Sequence, residues 1–366
     1  MWSVSDIRCL ECEISTVCNA GCVDCNRWIW NSDHNTVELN TLNPYINQLV
    51  DVDVFVARLK QFSNLKQIVI QGNMGDPLTH HQLSKLIKKI FDQFPDLFIE
   101  IDTNGSVGST ATWKEMSELV DLNINICFNI DGLYDTNHIY RRGCSWNKIM
   151  EHSKLWIDAG GSAEWRMIDF PYNAHQRDQA KTLSEQMGFK SFTIRQRYSP
   201  TVETDEWIEQ MAHEPVVPIH HEHSDQAVLQ ELEVYHKEWQ EWPHHVDRPA
   251  CLNNLDKDWH WPSFHLNLEG TVWPCCFTSN LFYYNGYDRE IWKKINQKYV
   301  EKYSQHWNNL DYYTLEEILK TDWFTKDLYQ SWQSKTEQSL LMCRKNCSSC
   351  NQSYTQRKQK EKNHVL

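Results

Sequence analysis

Three cysteines close to the N-terminus, Cys18, Cys22 and Cys25, stand in the pattern C-x3-C-x2-C. Thiolates are soft ligands, and three at this spacing suit a cubane of four irons and four sulfurs in which one iron keeps no protein ligand. An open iron is a place for a substrate or cofactor to bind. A structural zinc site would want four ligands and usually shows paired C-x2-C units. A second group lies towards the other end of the chain: Cys251, the adjacent Cys275 and Cys276, then Cys343, Cys347 and Cys350, which repeat the C-x3-C-x2-C spacing. Thirteen cysteines without a signal-peptide pattern read as metal or redox chemistry in a reducing cytoplasm, not as a disulfide scaffold.

Such side chains need a frame. Ile7–Ser15 alternates apolar and polar residues and runs into the cysteine loop, as a strand would. Gln67–Gln71, Phe98–Asp102, Ile124–Ile130, Ala163–Phe170 and Ser191–Gln196 read as five more strands. Helices are predicted over His81–Phe94 and Ala174–Met187, the second stopped by Gly188. Strands alternating with crossover helices imply an α/β fold with a parallel sheet, whose ligands collect at the C-terminal strand ends. The loops at those ends carry polar groups: Gly72-Asn73-Met74-Gly75-Asp76-Pro77, Thr103-Asn104-Gly105 and Asn129-Ile130-Asp131-Gly132.

With the cysteine triplet, these loops resemble the radical S-adenosylmethionine (SAM) enzymes. The resemblance implies a partial (β/α)6 barrel over residues 1–200 and a [4Fe-4S] cluster on Cys18, Cys22 and Cys25. The open iron would chelate the methionine part of SAM and pass it one electron, giving a 5′-deoxyadenosyl radical that takes hydrogen from a substrate. Gly72, Asn73 and Asp76 then correspond to the stretch that holds the SAM ammonium, with Asp76-Pro77 standing for Glu-Pro and two residues inserted. Thr103 and Asn104 would face the methionine or ribose. Asn129 and Arg142 would serve the carboxylate, and Arg195 the ribose or carboxylate; for both arginines a surface salt bridge is the other reading. The residue before the third cysteine is commonly aromatic in this family and is Asp24 here, which leaves Trp28 or Trp30 for the adenine.

Residues 201–247 change character, rich in Glu, His and Pro, and read as a linker containing a helix over Ala227–Trp239. Residues 248–366 resemble the SPASM/twitch extension of radical SAM enzymes. Gly270-x4-Cys275 fits its hairpin, with a turn at Asn267 to Gly270, and a helix over Leu315–Leu328 precedes the late cysteines. Six cysteines fall short of a full SPASM domain. The expected ligands of a single auxiliary [4Fe-4S] cluster are Cys251, Cys275, Cys347 and Cys350, with Cys276 and Cys343 in reserve. Zinc on the same four thiolates is the alternative.

A net charge of −13 argues against a non-specific grip on nucleic acid, and no apolar run is long enough to span a membrane. The expected partners are a peptide or small carbohydrate-like substrate and a reductase such as flavodoxin or ferredoxin. The expected reaction is modification, dehydrogenation or epimerisation; a non-catalytic iron–sulfur or zinc protein on the same scaffold is the alternative. Cys127 shares a strand face with Asn129 and Asp131, so its thiol points into the barrel with them, where it could return a hydrogen atom to a substrate radical. Inert packing is its other reading. Anaerobically reconstituted protein should hold about eight irons, two four-iron clusters. Near four irons plus one zinc by metal analysis would instead make the second site structural.

Overall fold

Alternation along six short strands separates an apolar face from a polar one, and the separation organises the molecule. The computed structural model describes residues 2–22, 25, 27–31, 36–39, 45–195, 263–280 and 301–333. The strands are β1 (Cys9–Cys12), β4 (Gln67–Ile70), β5 (Phe98–Thr103), β6 (Ile124–Asn129), β7 (Ser162–Ile168) and β8 (Ser191–Arg195), with a β2–β3 hairpin (Trp28–Asn31 and Thr36–Leu39) after the cysteine loop. The six lie side by side in the order β1-β4-β5-β6-β7-β8, every pair parallel. Five of the six runs expected as strands start within one residue of the observed element, and Ile7–Ser15 shortens to Cys9–Cys12.

One helix of eight residues or more lies between each consecutive pair: α1 (Val52–Leu59), α2 (Leu83–Gln93), α3 (Thr110–Ser117), α5 (Trp146–Asp158) and α6 (Arg177–Met187), with the short α4 (Asn137–Tyr140) before α5. The periodicity located α2 and α6, and Gly188 ends α6 in the left-handed region as expected. Side-chain caps start the three it did not locate: Asp51 accepts from Asp53 and Val54 N–H, Ser109 from Thr112 N–H and Ser145 from Lys148 N–H. Leu10, Ile68, Ile70, Ile99, Ile101, Ile126 and Phe128 are fully buried on the helix side, against Phe55, Leu59, Leu86, Ile90, Trp113 and Ile149. Each buried large side chain contributes roughly 1.5–3 kcal/mol.

The expected C-terminal hairpin forms as β9 (Ser263–Leu266) and β10 (Val272–Trp273), with Gly270 N–H on the Asn267 carbonyl and Thr271 N–H on its side-chain oxygen. It is not a separate sheet, because β9 pairs in parallel with the free edge of β1, in register Glu11 to His265. After it come α7 (Cys276–Asn280), α8 (Leu315–Leu319), a π-helical turn (Trp323–Asp327) and α9 (Leu328–Gln333). The single helix expected over Leu315–Leu328 is therefore broken: the Thr321 hydroxyl takes the Ile318 carbonyl and ends the first piece. Cys251, Cys343, Cys347, Cys350, the linker 201–247 and its helix lie outside the described residues.

Arg58 clamps this region to the barrel. From the end of α1 it forks onto Asp311 at 2.8 and 2.6 Å and donates to the carbonyls of Leu268 and Glu269 at 2.8 and 3.0 Å. Gly270 (φ +94°) passes so close that a Cβ there would lie 2.6 Å from the Arg58 guanidinium carbon. Breaking a fully buried pair costs about 3–5 kcal/mol, and the half-exposed Asp311 lowers that. Arg58→Met should destabilise the protein by roughly 2–3 kcal/mol in urea titration. Hydrogen exchange of residues 263–273 should quicken while β5–β7 stay protected; uniform quickening of both would refute the clamp.

Candidate active site

The cysteine loop leaves the C-terminal end of β1, and Cys18, Cys22 and Cys25 are all half-buried on it. Ala20 N–H donates to the Cys18 sulfur at 3.4 Å, and Gly21 N–H to the Arg142 carbonyl at 2.8 Å. Burial pushes the three thiols up, Cys18 and Cys25 to about 11 and Cys22 to about 12. The three sulfurs do not crowd within 4.8 Å of one another. Three soft donors and a wider spacing fit a four-iron cluster.

Asp76 ties this loop to its neighbours. Its N–H donates to the Val17 carbonyl at 2.7 Å. Its carboxylate, 3% exposed, accepts from Leu78 N–H, the Thr103 hydroxyl and Asn104 N–H at 2.8–3.0 Å. Asn104 then reaches Asn19 at 2.9 Å and the Cys18 sulfur at 3.7 Å. The carboxylate expected to meet a ligand ammonium is thus engaged within the protein, and Asp76 sets the positions of Thr103 and Asn104. Within the preceding loop the Asn73 Nδ2 is buried without a partner, a donor left for a group bound there. Gly75 presses against β1, and a Cβ on it would lie 2.1 Å from the Ser15 carbonyl oxygen. Gly72 packs as closely on the Gly75 carbonyl.

Residues 12–180 match the family described as the Radical SAM superfamily. That stretch resembles a radical SAM domain. The chain is similar in fold to Streptococcus suis SuiB bound to its precursor peptide SuiA, at 13% identity over 90% of this chain and 67% of that one, with a TM-score of 0.52. It is similarly placed beside native anSMEcpe with bound AdoMet: 14% identity, 87% and 82% covered, TM-score 0.50. Against SAM-bound SuiB it spans 65% of that chain's length. No curated protein matches by sequence.

The matched region places the other expected residues at the same end of the sheet. Asn129 closes β6 and donates to the Thr103 carbonyl at 3.4 Å. The fully buried Asp131 accepts from Ile168 N–H at 2.6 Å and pairs with Arg141 at 2.7 Å. The Arg141 charge also reaches Cys22. Arg142 is half-buried one residue on, where its backbone holds Gly21. Arg195 ends β8, with its charge near Asp131 and Glu164. Trp28 begins β2 beneath the Arg27 guanidinium, 5.6 Å from its ring centre, and Trp30 lies two residues further along that strand.

Inside the matched region the concave face of the sheet is polar, which the strand patterns alone did not reveal as one constellation. Arg166 of β7 pairs with Glu100 at 2.8 Å, Asp102 at 2.7 Å and Glu164 at 2.9 Å. Cys127 faces this group as the alternation required, its thiol directed at Glu164 at 3.6 Å and accepting from Asn125 at 3.3 Å. Burial, then Asp102 and Glu100, push the thiol far up, so it keeps its proton. Glu100, Cys127 and Glu164 are the one trio of potential metal ligands drawn within 4.8 Å among the described residues, but Arg166 already sits on both carboxylates as their cation. Glu11 accepts from Gln71 at 2.9 Å and from the Cys276 thiol. Beside Glu11 in register, His265 is fully buried with neither ring nitrogen bonded, and burial lowers it to about 3, so it stays neutral. Cys275 caps α7 through Thr278, and none of the nine described cysteines forms a disulfide.

The Asn73–Gly75 loop is anchored from below by Glu13, whose carboxylate accepts from Met74 N–H at 2.9 Å and from Asn73 N–H. Burial raises Glu13 from its ordinary 4.5 to about 7. A raised folded-state value means that the folded chain holds a proton the unfolded chain releases. Its contribution is whole below about pH 4.5 and is lost as pH rises through about 7. Glu13→Gln keeps an acceptor for Met74 without titrating. Its stability relative to wild type should rise by roughly 1–3 kcal/mol between pH 5 and pH 8. An equal difference at both pH values, by urea denaturation, would show that Glu13 does not titrate in this window.

Proposed function

We propose that this chain is a radical SAM enzyme that modifies a peptide, with the target group seated on the polar concave face of the barrel. The observation that carries this reading is the link from Cys18 through Asn104 to Asp76, which gathers the ends of β1, β4 and β5 around the cysteine loop. SuiB, similar in fold, was solved with a precursor peptide, and this supports the peptide over a small metabolite.

A four-iron cluster with SAM, when bound, supplies one-electron cleavage of the sulfonium–C5′ bond into methionine and a 5′-deoxyadenosyl radical, which takes a hydrogen atom from the substrate. Cys18, Cys22 and Cys25 hold the cluster. Asn73 and the backbone of Gly72 meet the amino-acid end of SAM, while Asp76 acts through Thr103 and Asn104. Asn129, Arg142 and Arg195 complete the polar rim, with Arg141 and Asp131 fixing the strand ends beneath it. Cys127 retains its S–H among Glu100, Asp102 and Glu164, the state needed to return a hydrogen atom. Cys275 joins Cys251, Cys347 and Cys350 around an auxiliary cluster, and a flavodoxin or ferredoxin delivers the electron.

Reconstituted protein with dithionite and SAM should release 5′-deoxyadenosine. Replacing Cys18, Cys22 and Cys25 together by alanine should abolish that product and leave the auxiliary metal bound. Wild-type protein holding iron and SAM yet releasing no 5′-deoxyadenosine would establish the non-catalytic alternative. Loss of all metal in the triple variant would overturn the two-site arrangement.

A further inference from the structure

Among the described residues four arginines are buried or nearly so, and three of them rest on carboxylates: Arg58 on Asp311, Arg141 on Asp131, and Arg166 on Glu100, Asp102 and Glu164. Arg27 is the exception. It is 4% exposed, and its guanidinium meets only neutral oxygens. Nη1 donates to the carbonyls of Thr16 and Met74, the latter at 2.8 Å, and Nη2 to the side-chain oxygen of Asn47. Its Nε is buried with no partner. A buried guanidinium without an anion is expensive, since hydrogen bonds to carbonyls replace its hydration only in part.

The negative groups that Arg27 does reach are sulfurs. Its charge acts on Cys18 and Cys25, and its backbone N–H is directed at the Cys25 sulfur. Its hydrogen bonds to Thr16 and Met74 fix it between the cysteine loop and the loop carrying Asn73. We propose that Arg27 is the built-in counter-charge of the cluster held by Cys18, Cys22 and Cys25, a positioning residue that raises the cluster's reduction potential. This rests on reading those cysteines as cluster ligands. A cluster on three thiolates gains a further negative charge when it takes an electron. A fixed cation in a dry setting favours that state, and net charge and hydrogen bonding are the protein's levers on such potentials.

The test is a redox titration of the reconstituted full-length chain, followed through the reduced-cluster resonance signal that changes on adding SAM. Arg27→Gln keeps donors for the carbonyls but removes the charge. It should shift the reduction equilibrium about tenfold towards the oxidised form, about 59 mV lower for one electron. Arg27→Lys keeps the charge and should stay within about threefold of wild type, because a point charge replaces a fork. Asn47→Asp gives Arg27 a carboxylate in place of its amide partner without deleting a hydrogen bond; position 47 has φ +60°, which Asp tolerates as Asn does. Because residue 47 is exposed, screening should limit this shift to about threefold, again towards the oxidised form. A wild-type potential in Arg27→Gln overturns the proposal. If that variant does not load iron, an unmoved potential in Asn47→Asp overturns it instead. A wild-type protein that forms no SAM-responsive cluster would instead bring down the reading of the cysteines.

Discussion

The buried carboxylate of Asp76 is the constraint on which the candidate site depends. A charged group at 3% exposure persists only when donors surround it, and here they come from Leu78 in its own turn and from the distant Thr103–Asn104 corner. Satisfying it forces β4 and β5 to end at the same height and brings Asn104 over Cys18. The close approach of Gly75 to Ser15 completes the join, since any side chain there would push the loop off β1. Removing the carboxylate would leave the Asn104 N–H and Thr103 hydroxyl as buried orphans, so the same group that shapes the turn also orders the rim.

Charge placement follows the same logic on the concave face. Burial first, and then the excess of negative charge that three carboxylates around one guanidinium leave beside it, keep Cys127 protonated. Arg166, as their cation, closes the one trio of potential metal ligands among the described residues to an ion. A barrel interior so polar gains little from collapse on itself. Stability is supplied by the apolar helix-facing side.

The C-terminal segment is bound to the barrel by backbone as well as by side chains. Pairing of β9 with β1 extends the sheet across what sequence reads as a domain boundary, and Arg58 fastens the hairpin turn to α1. Cys276 is thereby brought to Glu11, on the concave face. The hairpin at residues 263–273 and the barrel are in this way mechanically joined.

Periodicity determined most of the strands, because each has an apolar side that must be buried and a polar side that must not. The cysteine spacing, the Thr103-Asn104-Gly105 corner and the Asn267 to Gly270 turn were legible for the same reason: each is a local pattern with a local cause. Partners were not legible. Sequence could not show that Arg141 pairs with Asp131, since the direction of each side chain is set by the folded backbone. Nor could it engage Asp76 inside the protein, gather Glu100, Asp102 and Glu164 on Arg166, or leave Arg27 without a carboxylate. Those outcomes are set by which strand ends meet, and ion pairs between distant segments leave no periodic trace in the chain.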